Sequence, residues 1–290
     1  MSARDSYYGR PILKQPTWTW EIPFYFFFGG MAGASATFAT VAELAGEDDL
    51  ARRAWAVALG GMAVGPPLLI SDLGRPARFL NMLRVFKPTS PMSVGSWILN
   101  GAGATITLGV ARTWFGRIPR LGRASHAAGF AGPALATYTA VLVADTAIPV
   151  WHDARLELPF VFASGSAMSA GSAIALAGGG APARRLALAG AVGELASTAI
   201  MEHRLGPLIG EPYREGRAGK FAKLSKGLTA AGAVTMAAAR GERRASAAGA
   251  ALMLGGALAT RWSVFHAGRQ GAADPKYVVE PQRARRAARA

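Results

Sequence analysis

The side chains able to do chemistry in this chain are few, and most sit at or inside long apolar runs. Asp72 and Arg75 lie three residues apart in SDLGRPARFLNMLRVFKPTSPMSVGSW, a spacing that lets a carboxylate and a guanidinium meet across one turn. They can pair and cap the connector, or Asp72 can trade protons with a reduced ligand while Arg75 holds its charge. Tyr138 and Asp145 are spaced by two helical turns, which puts a hydroxyl donor and a titratable acid on one face. His152 follows in the next loop, with Trp151, Asp153 and Arg155. Tyr25 lies one turn beyond Glu21; its phenol can donate to a carbonyl ligand or serve as one more interfacial aromatic, like Trp18 and Trp20. A donor to a carbonyl oxygen together with acids able to relay protons is what a quinone head group requires.

Two further acids carry a different expectation. Glu194 stands among small and apolar residues near the middle of a run, where an ionisable group is costly and so faces the interior of a helical bundle. A proton relay competes there with a plain hydrogen bond to Ser197 or Thr198. Glu43, near the far end of the first run, belongs to the opposite interface, and with Glu194 it could relay protons across the chain. No residue is assigned a catalytic role of its own. The chain has no cysteine, which excludes disulfides, thiolate zinc sites and an iron–sulfur cluster held by this chain. The four histidines, His126, His152, His203 and His266, stand singly, so paired histidine ligation of haem is not expected, nor is any metal site.

Eight apolar segments must position these groups: Ile22 to Ala45, Ala54 to Ser71, Met92 to Phe115, Ser125 to Ile148, Leu158 to Ala177, Leu186 to Met201, Phe221 to Ala239, and Ala245 to Trp262. A helix needs about 20 residues to cross a bilayer, and backbone groups in lipid must be satisfied internally. The expected fold is therefore an all-α integral membrane protein of about eight transmembrane helices. Apolar residues make up 51% of the chain, mean hydropathy is +0.22, and there are 36 glycines, as close helix packing in membranes favours. Gly29 with Gly33, and Gly61 with Gly65, have the spacing of helix–helix contact pairs.

The formal charge is +15, but the basic residues cluster between apolar runs and in the tail, which suits anionic lipid. No nucleic-acid partner is expected. With eight spans, most Lys and Arg share the face of both termini, placing the termini in the cytoplasm of a multi-pass plasma-membrane protein. The first 20 residues lack the apolar core of a cleavable signal peptide, so the first span is expected to direct insertion. Residues 1–268 read as one polytopic membrane domain. Residues 269–290 read as a basic, mobile tail that includes Arg283, Arg285, Arg286 and Arg289.

WTWEIPFYFFFGGMAGAS from Trp18, the DLGRP…NMLR…PTSPMS block after Ser71, YTAVLVADTAIPVW from Tyr138, and LGPLIGEPYREGRAGKF from Leu205 together resemble the NrfD/polysulfide-reductase family of membrane subunits. The resemblance covers the chain from about Trp18 to Phe221. It implies eight helices in two four-helix bundles and a bound menaquinone or other quinone. It also implies partners: an iron–sulfur electron-transfer subunit and a catalytic subunit, often a molybdopterin enzyme. By position, Asp72 and Tyr138 match family residues around the quinone head group. Tyr25 stands where some members have histidine, and a tyrosine is a poorer proton carrier near neutral pH. On this reading the chain anchors an oxidoreductase complex and exchanges electrons between a quinone pool and the iron–sulfur partner, and protons could be translocated with them. Two other readings stay open from the residues alone: a transporter, suggested by eight spans and Glu194, and a passive anchor without quinone chemistry.

Overall fold

The computed structural model describes residues 11–116 and 122–288, so Arg289 lies outside the described residues. Helices α1 (Glu21–Leu44), α2 (Asp48–Asp72), α3 (Ala77–Met82), α4 (Pro91–Phe115), α5 (Gly122–Ala144) and α6 (Pro149–His152) make up the first part. Then come α7 (Leu158–Leu176), α8 (Gly180–Ile209), a 3₁₀ turn at Glu211–Tyr213, α9 (Gly216–Ala238), α10 (Arg243–Ala273) and α11 (Lys276–Ala287). Among the described residues there is no strand.

Five helices are long and apolar enough to cross a membrane: α1, α2, α4, α5 over His126–Ala144, and α7. The other long helices, α8, α9 and α10, have 30, 23 and 31 residues, but Ala, Gly and basic residues lower their hydropathy.

Local chemistry fixes where the helices begin and end. Asp48 and Asp49 occupy the first turn of α2, where the positive end of the helix dipole favours acids. The helix therefore starts earlier than the apolar run does. Ser90 caps α4, its side chain accepting from Ser93 N at 3.4 Å, and Pro91 takes the first helical position, where a missing N–H costs nothing. Gly206, at φ 67°, and Pro207 kink α8 near its end. Past residue 268, where the sequence suggests a tail, α10 continues to Ala273 and α11 follows. Lys276 Nζ donates to Glu211 Oε1 at 2.6 Å, and Tyr277 is buried.

Packing follows the small residues. A Cβ on Gly61 of α2 would lie 2.7 Å from Phe28 O and 2.8 Å from Ala32 Cβ of α1, and Gly65 faces Gly29. Gly33 faces Gly132 and Ala136 of α5. The two glycine pairs therefore lie at helix contacts, with α1 using one glycine against α2 and the next against α5. Helix α4 packs on α5 and α2; α7 packs on α8 and α10, and α9 on α10. Contacts of α1 and α5 with α7, and of α1 with α10, join the two groups. Many large apolar side chains face outward, among them Phe115, Phe130, Phe160, Val192 and Val234.

Candidate functional site

The end of the molecule where α1 begins and α2 ends collects most of the residues singled out above. The segment before α1 folds across this end as a strap. Trp18 stacks on Trp151 at 5.6 Å and meets Phe26 edge-on, and its carbonyl accepts from Arg269 Nη1 at 3.4 Å. Trp151 is fully buried and donates from Nε1 to Val264 O at 2.8 Å. Strap, α6 and α10 are thus tied together through two indoles.

Under the strap lies a cavity of about 560 Å³, walled by strap residues 13–18, the start of α4 from Ser90 to Met92, and the α5–α6 turn with Leu142, Asp145 and Trp151. The volume falls within the range of small-molecule sites. Asp145 is exposed at this cavity. Tyr138 is buried, and its ring covers Gly95 of α4 so closely that a Cβ there would clash. Residues 138 and 142 share one face of α5, and Asp145, directly after the helix end, still bonds back to Val141 O. With Leu142 and Asp145 on the cavity wall, Tyr138 lies one turn beneath it. Gly95 likewise sits one turn below Met92 on α4.

Asp72 serves the strap. Its Oδ1 accepts from Thr19 N at 2.9 Å and Thr19 Oγ1 at 2.8 Å, and Thr19 Oγ1 also bonds to Glu21. The expected pairing of Asp72 with Arg75 is not what the structure holds. No ion pair between the two occurs among the described residues, and Arg75 is exposed on the connector. The carboxylate is drawn away because two strap donors offer it a bidentate partner next to the chain entry of α1.

Tyr25 is fully buried, and its hydroxyl has no hydrogen-bond partner. It lies on the stripe of α1 that continues through Gly29, facing α2, and Gly33, facing α5. That places it inside the first helix group and not in a belt of surface aromatics. A buried hydroxyl without a partner is costly, and it is a ready donor for a carbonyl oxygen. His152 lines a separate hollow of about 270 Å³ with Tyr277 and Arg285, sharing only the Thr146–Ala147 wall with the larger cavity. The structure thus brings Asp145 to the cavity wall, leaves Tyr138 buried one turn beneath it against Gly95, ties Asp72 to the strap, and leaves Arg75 and His152 to the side.

Glu43 lies at the other end of α1. Its carboxylate accepts from Trp55 Nε1 and from Arg112 Nη1, each at 2.9 Å, with His126 Nε2 3.6 Å away. Glu194 is buried to 2% exposure. Ser197 Oγ donates to the backbone carbonyls of Gly193 and Glu194, not to the carboxylate, whose two oxygens accept no hydrogen bond. The sequence reading missed the group facing it: Arg261, 1% exposed, on α10. A Cβ on Gly165 of α7 would lie 2.7 Å from Glu194 Oε1 and 3.2 Å from Arg261 Nη2, so both charges converge over this glycine. Arg261 Nη2 donates to Phe162 O at 2.9 Å, and the guanidinium stacks on the Phe162 ring at 3.9 Å. The signal was present as an arginine within an apolar run. It was obscured because the run was ended at Trp262, whereas α10 carries on and leaves Arg261 deep inside. Among the described residues no group of three or more His, Asp or Glu side chains could hold a metal ion.

A bundle of apolar helices with outward-facing large hydrophobics is that of a multi-pass membrane protein, and it carries a polar-rimmed cavity of ligand size at one end. Residues 13–187 match the family model described as NrfD, polysulphide reductase, and the chain belongs to that family as a multi-pass membrane subunit. Among curated proteins none matches the chain.

Proposed function

We infer that this chain is the quinone-reactive membrane anchor of an oxidoreductase complex, exchanging electrons between the quinone pool and an iron–sulfur partner subunit. That partner is tied in turn to a catalytic subunit of the molybdopterin type. The observation that carries the reading is the cavity of about 560 Å³ under the strap, with Asp145 at its rim and Tyr138 one turn below. A quinone, menaquinone for instance, supplies paired electron and proton transfer when bound. The cavity lining fits such a group: Leu142, Met92 and the two indoles for an apolar ring and tail, and Asp145 to exchange protons with water. The buried phenols of Tyr138 and Tyr25 lie outside that lining, and a head group reaching past it would meet Tyr138 one turn below as a donor for a carbonyl oxygen. Asp72 holds the strap that closes the cavity through Thr19, which makes it a positioning residue. Arg75 and His152 flank the site on the same end and belong to the docking face.

The connector after Asp72 supports a partner at this end. Arg75, Arg78, Arg84 and Lys87 are exposed beside exposed Leu80, Val85 and Phe86, a basic and apolar surface suited to an acidic subunit. Helices α8, α9 and α10 complete the crossing set in this reading. At 1.5 Å per residue even the 23 residues of α9 reach about 35 Å, and Val192, Leu224 and Val234 face outward as lipid contacts do. Eight crossings then form two four-helix bundles, α1, α2, α4 and α5 against α7 to α10, in the plasma membrane. Both termini lie on the cytoplasmic side, where the basic loops gather.

Tyr138→Phe and Asp72→Asn test the assignment in the assembled complex. Losing one donor to a carbonyl removes about 0.5–1.5 kcal/mol, which weakens quinone affinity up to about tenfold. Both variants should lower quinone turnover while the subunits still co-purify. Unchanged turnover in both would sink the site.

A further inference from the structure

We propose that the second helix group contains a proton-loading half-channel, running from the Glu202–Lys226 pair at the cavity end to Glu194 in the interior. One stripe of α8, Glu194, Thr198 and Glu202, lines a void of about 20 Å³, enough for one water molecule. From α9, Ser225, Lys226 and Thr229 face the same void, and Thr260 faces it from α10.

The polar atoms around this void are unusually incomplete. Both Glu194 oxygens, Thr229 Oγ1 and the Tyr213 hydroxyl are buried without a hydrogen-bond partner, as are Nε and Nη1 of Arg261 beside them. Buried polar groups are nearly always paired with protein or ordered water. Four such oxygens, two of Glu194 and one each of Thr229 and Tyr213, on residues lining one water-sized void mark it as a hydrated polar site. Among the described residues no ion pair joins Glu194 to Arg261, although the two charges lie close enough to act on each other.

The route has an outlet. Lys226 Nζ donates to Glu202 Oε2 at 2.6 Å, and the lysine side chain is 43% exposed. From Glu202 to Glu194 along α8 is about 12 Å at helical rise. Thr198 and the hydrogen-bonded pair Ser225 and Thr260, 2.6 Å apart, lie between them. Glu202 first takes up one proton from bulk water and passes it to the void water, which passes one on to the Glu194 carboxylate; release reverses each transfer. The charged and titratable groups facing Glu194 are Arg261 from α10, Lys226 from α9, Glu202 on its own helix and Tyr213 from the 3₁₀ turn. Helix α7 contributes Gly165 at the point of closest approach. Burial and the nearby Glu202 push the Tyr213 phenol up, so it remains a neutral donor. Arg261 supplies the positive charge that keeps a resting carboxylate tolerable in the interior.

The relay does not depend on quinone binding, and its test uses no quinone. Infrared pH titration of the full-length chain in lipid nanodiscs reads the carboxylic C=O band of Glu194, assigned by its loss in Glu194→Gln. The band should grow and vanish reversibly with pH in folded protein. Its response to a pH jump should slow by about tenfold or more in Glu202→Gln, as removal of a positioned proton carrier does. Thr198→Val, which adds no charge and leaves the Lys226 pair intact, should slow it as well. A Glu194 band that never titrates short of unfolding, or a response as fast in both variants as in the parent, would overturn the proposal.

Discussion

Removing the guanidinium of Arg261 should be among the most damaging single changes in the molecule. In Arg261→Met the volume is roughly kept, but Phe162 O loses its 2.9 Å donor and Glu194 faces the interior without its positive neighbour. A hydrogen bond from a charged donor contributes about 1.5–3 kcal/mol, and leaving a buried carboxylate without its neighbouring cation costs up to about 3–5 kcal/mol. These overlap, since they describe one group, so the expected loss is about 3–5 kcal/mol. Replacing both partners with apolar residues is a different matter. Arg261→Met combined with Glu194→Leu leaves no orphan charge, and such exchanges are often neutral. The double variant should therefore recover most of the loss, giving a coupling energy of about 2–3 kcal/mol in a double-mutant cycle. Denaturant unfolding in a fixed detergent, followed by near-ultraviolet circular dichroism, measures all four proteins. If Arg261→Met alone costs no more than the double variant, the two charges do not interact across Gly165 and the interior electrostatics described above are wrong.

Other predictions follow from packing and from the tail. Gly61→Ala should push α1 and α2 apart, because its Cβ meets backbone at 2.7 Å, and cost about 1–3 kcal/mol; Gly60→Ala, with nothing within 4 Å, should be tolerated in the same unfolding assay. Lys276→Met should release α11, seen as faster amide exchange across residues 276–287. The hydrogen bond with Glu211 raises the Lys276 pKa above its ordinary value. The contribution of this contact is thus complete below the ordinary lysine range and is lost only as pH climbs through the raised folded value. Exchange in α11, corrected for intrinsic rates, should accordingly stay constant through neutral and mildly alkaline pH.

Much of the helical framework was legible because apolar runs bounded by charge leave the backbone few options. The first run, expected from Ile22 to Ala45, is helix Glu21–Leu44. The second began later in the sequence reading than in the structure because Glu47, Asp48 and Asp49 read as loop, whereas two of these acids sit in the first turn of α2. The apolar run from Ser125 to Ile148 breaks after Ala144, and α6 opens at Pro149. At the site, the stripe from Tyr138 to Asp145 could be read from spacing alone. The partner of Asp72 could not: Arg75 is near in sequence, but Thr19, 53 residues away, is the group that folding delivers. The same holds for Glu194 and Arg261, which lie on different helices and meet only because Gly165 of α7 lets both approach.

Quinone binding at the end that carries the basic connectors is what the proposed function stands on. Purification of the tagged protein in mild detergent, with mass spectrometry of the co-purifying subunits and of the extracted lipid, tests it most directly. An iron–sulfur subunit in the preparation, and bound quinone that is depleted in Tyr138→Phe, are expected. A chain that emerges alone, stable and free of quinone would contradict it.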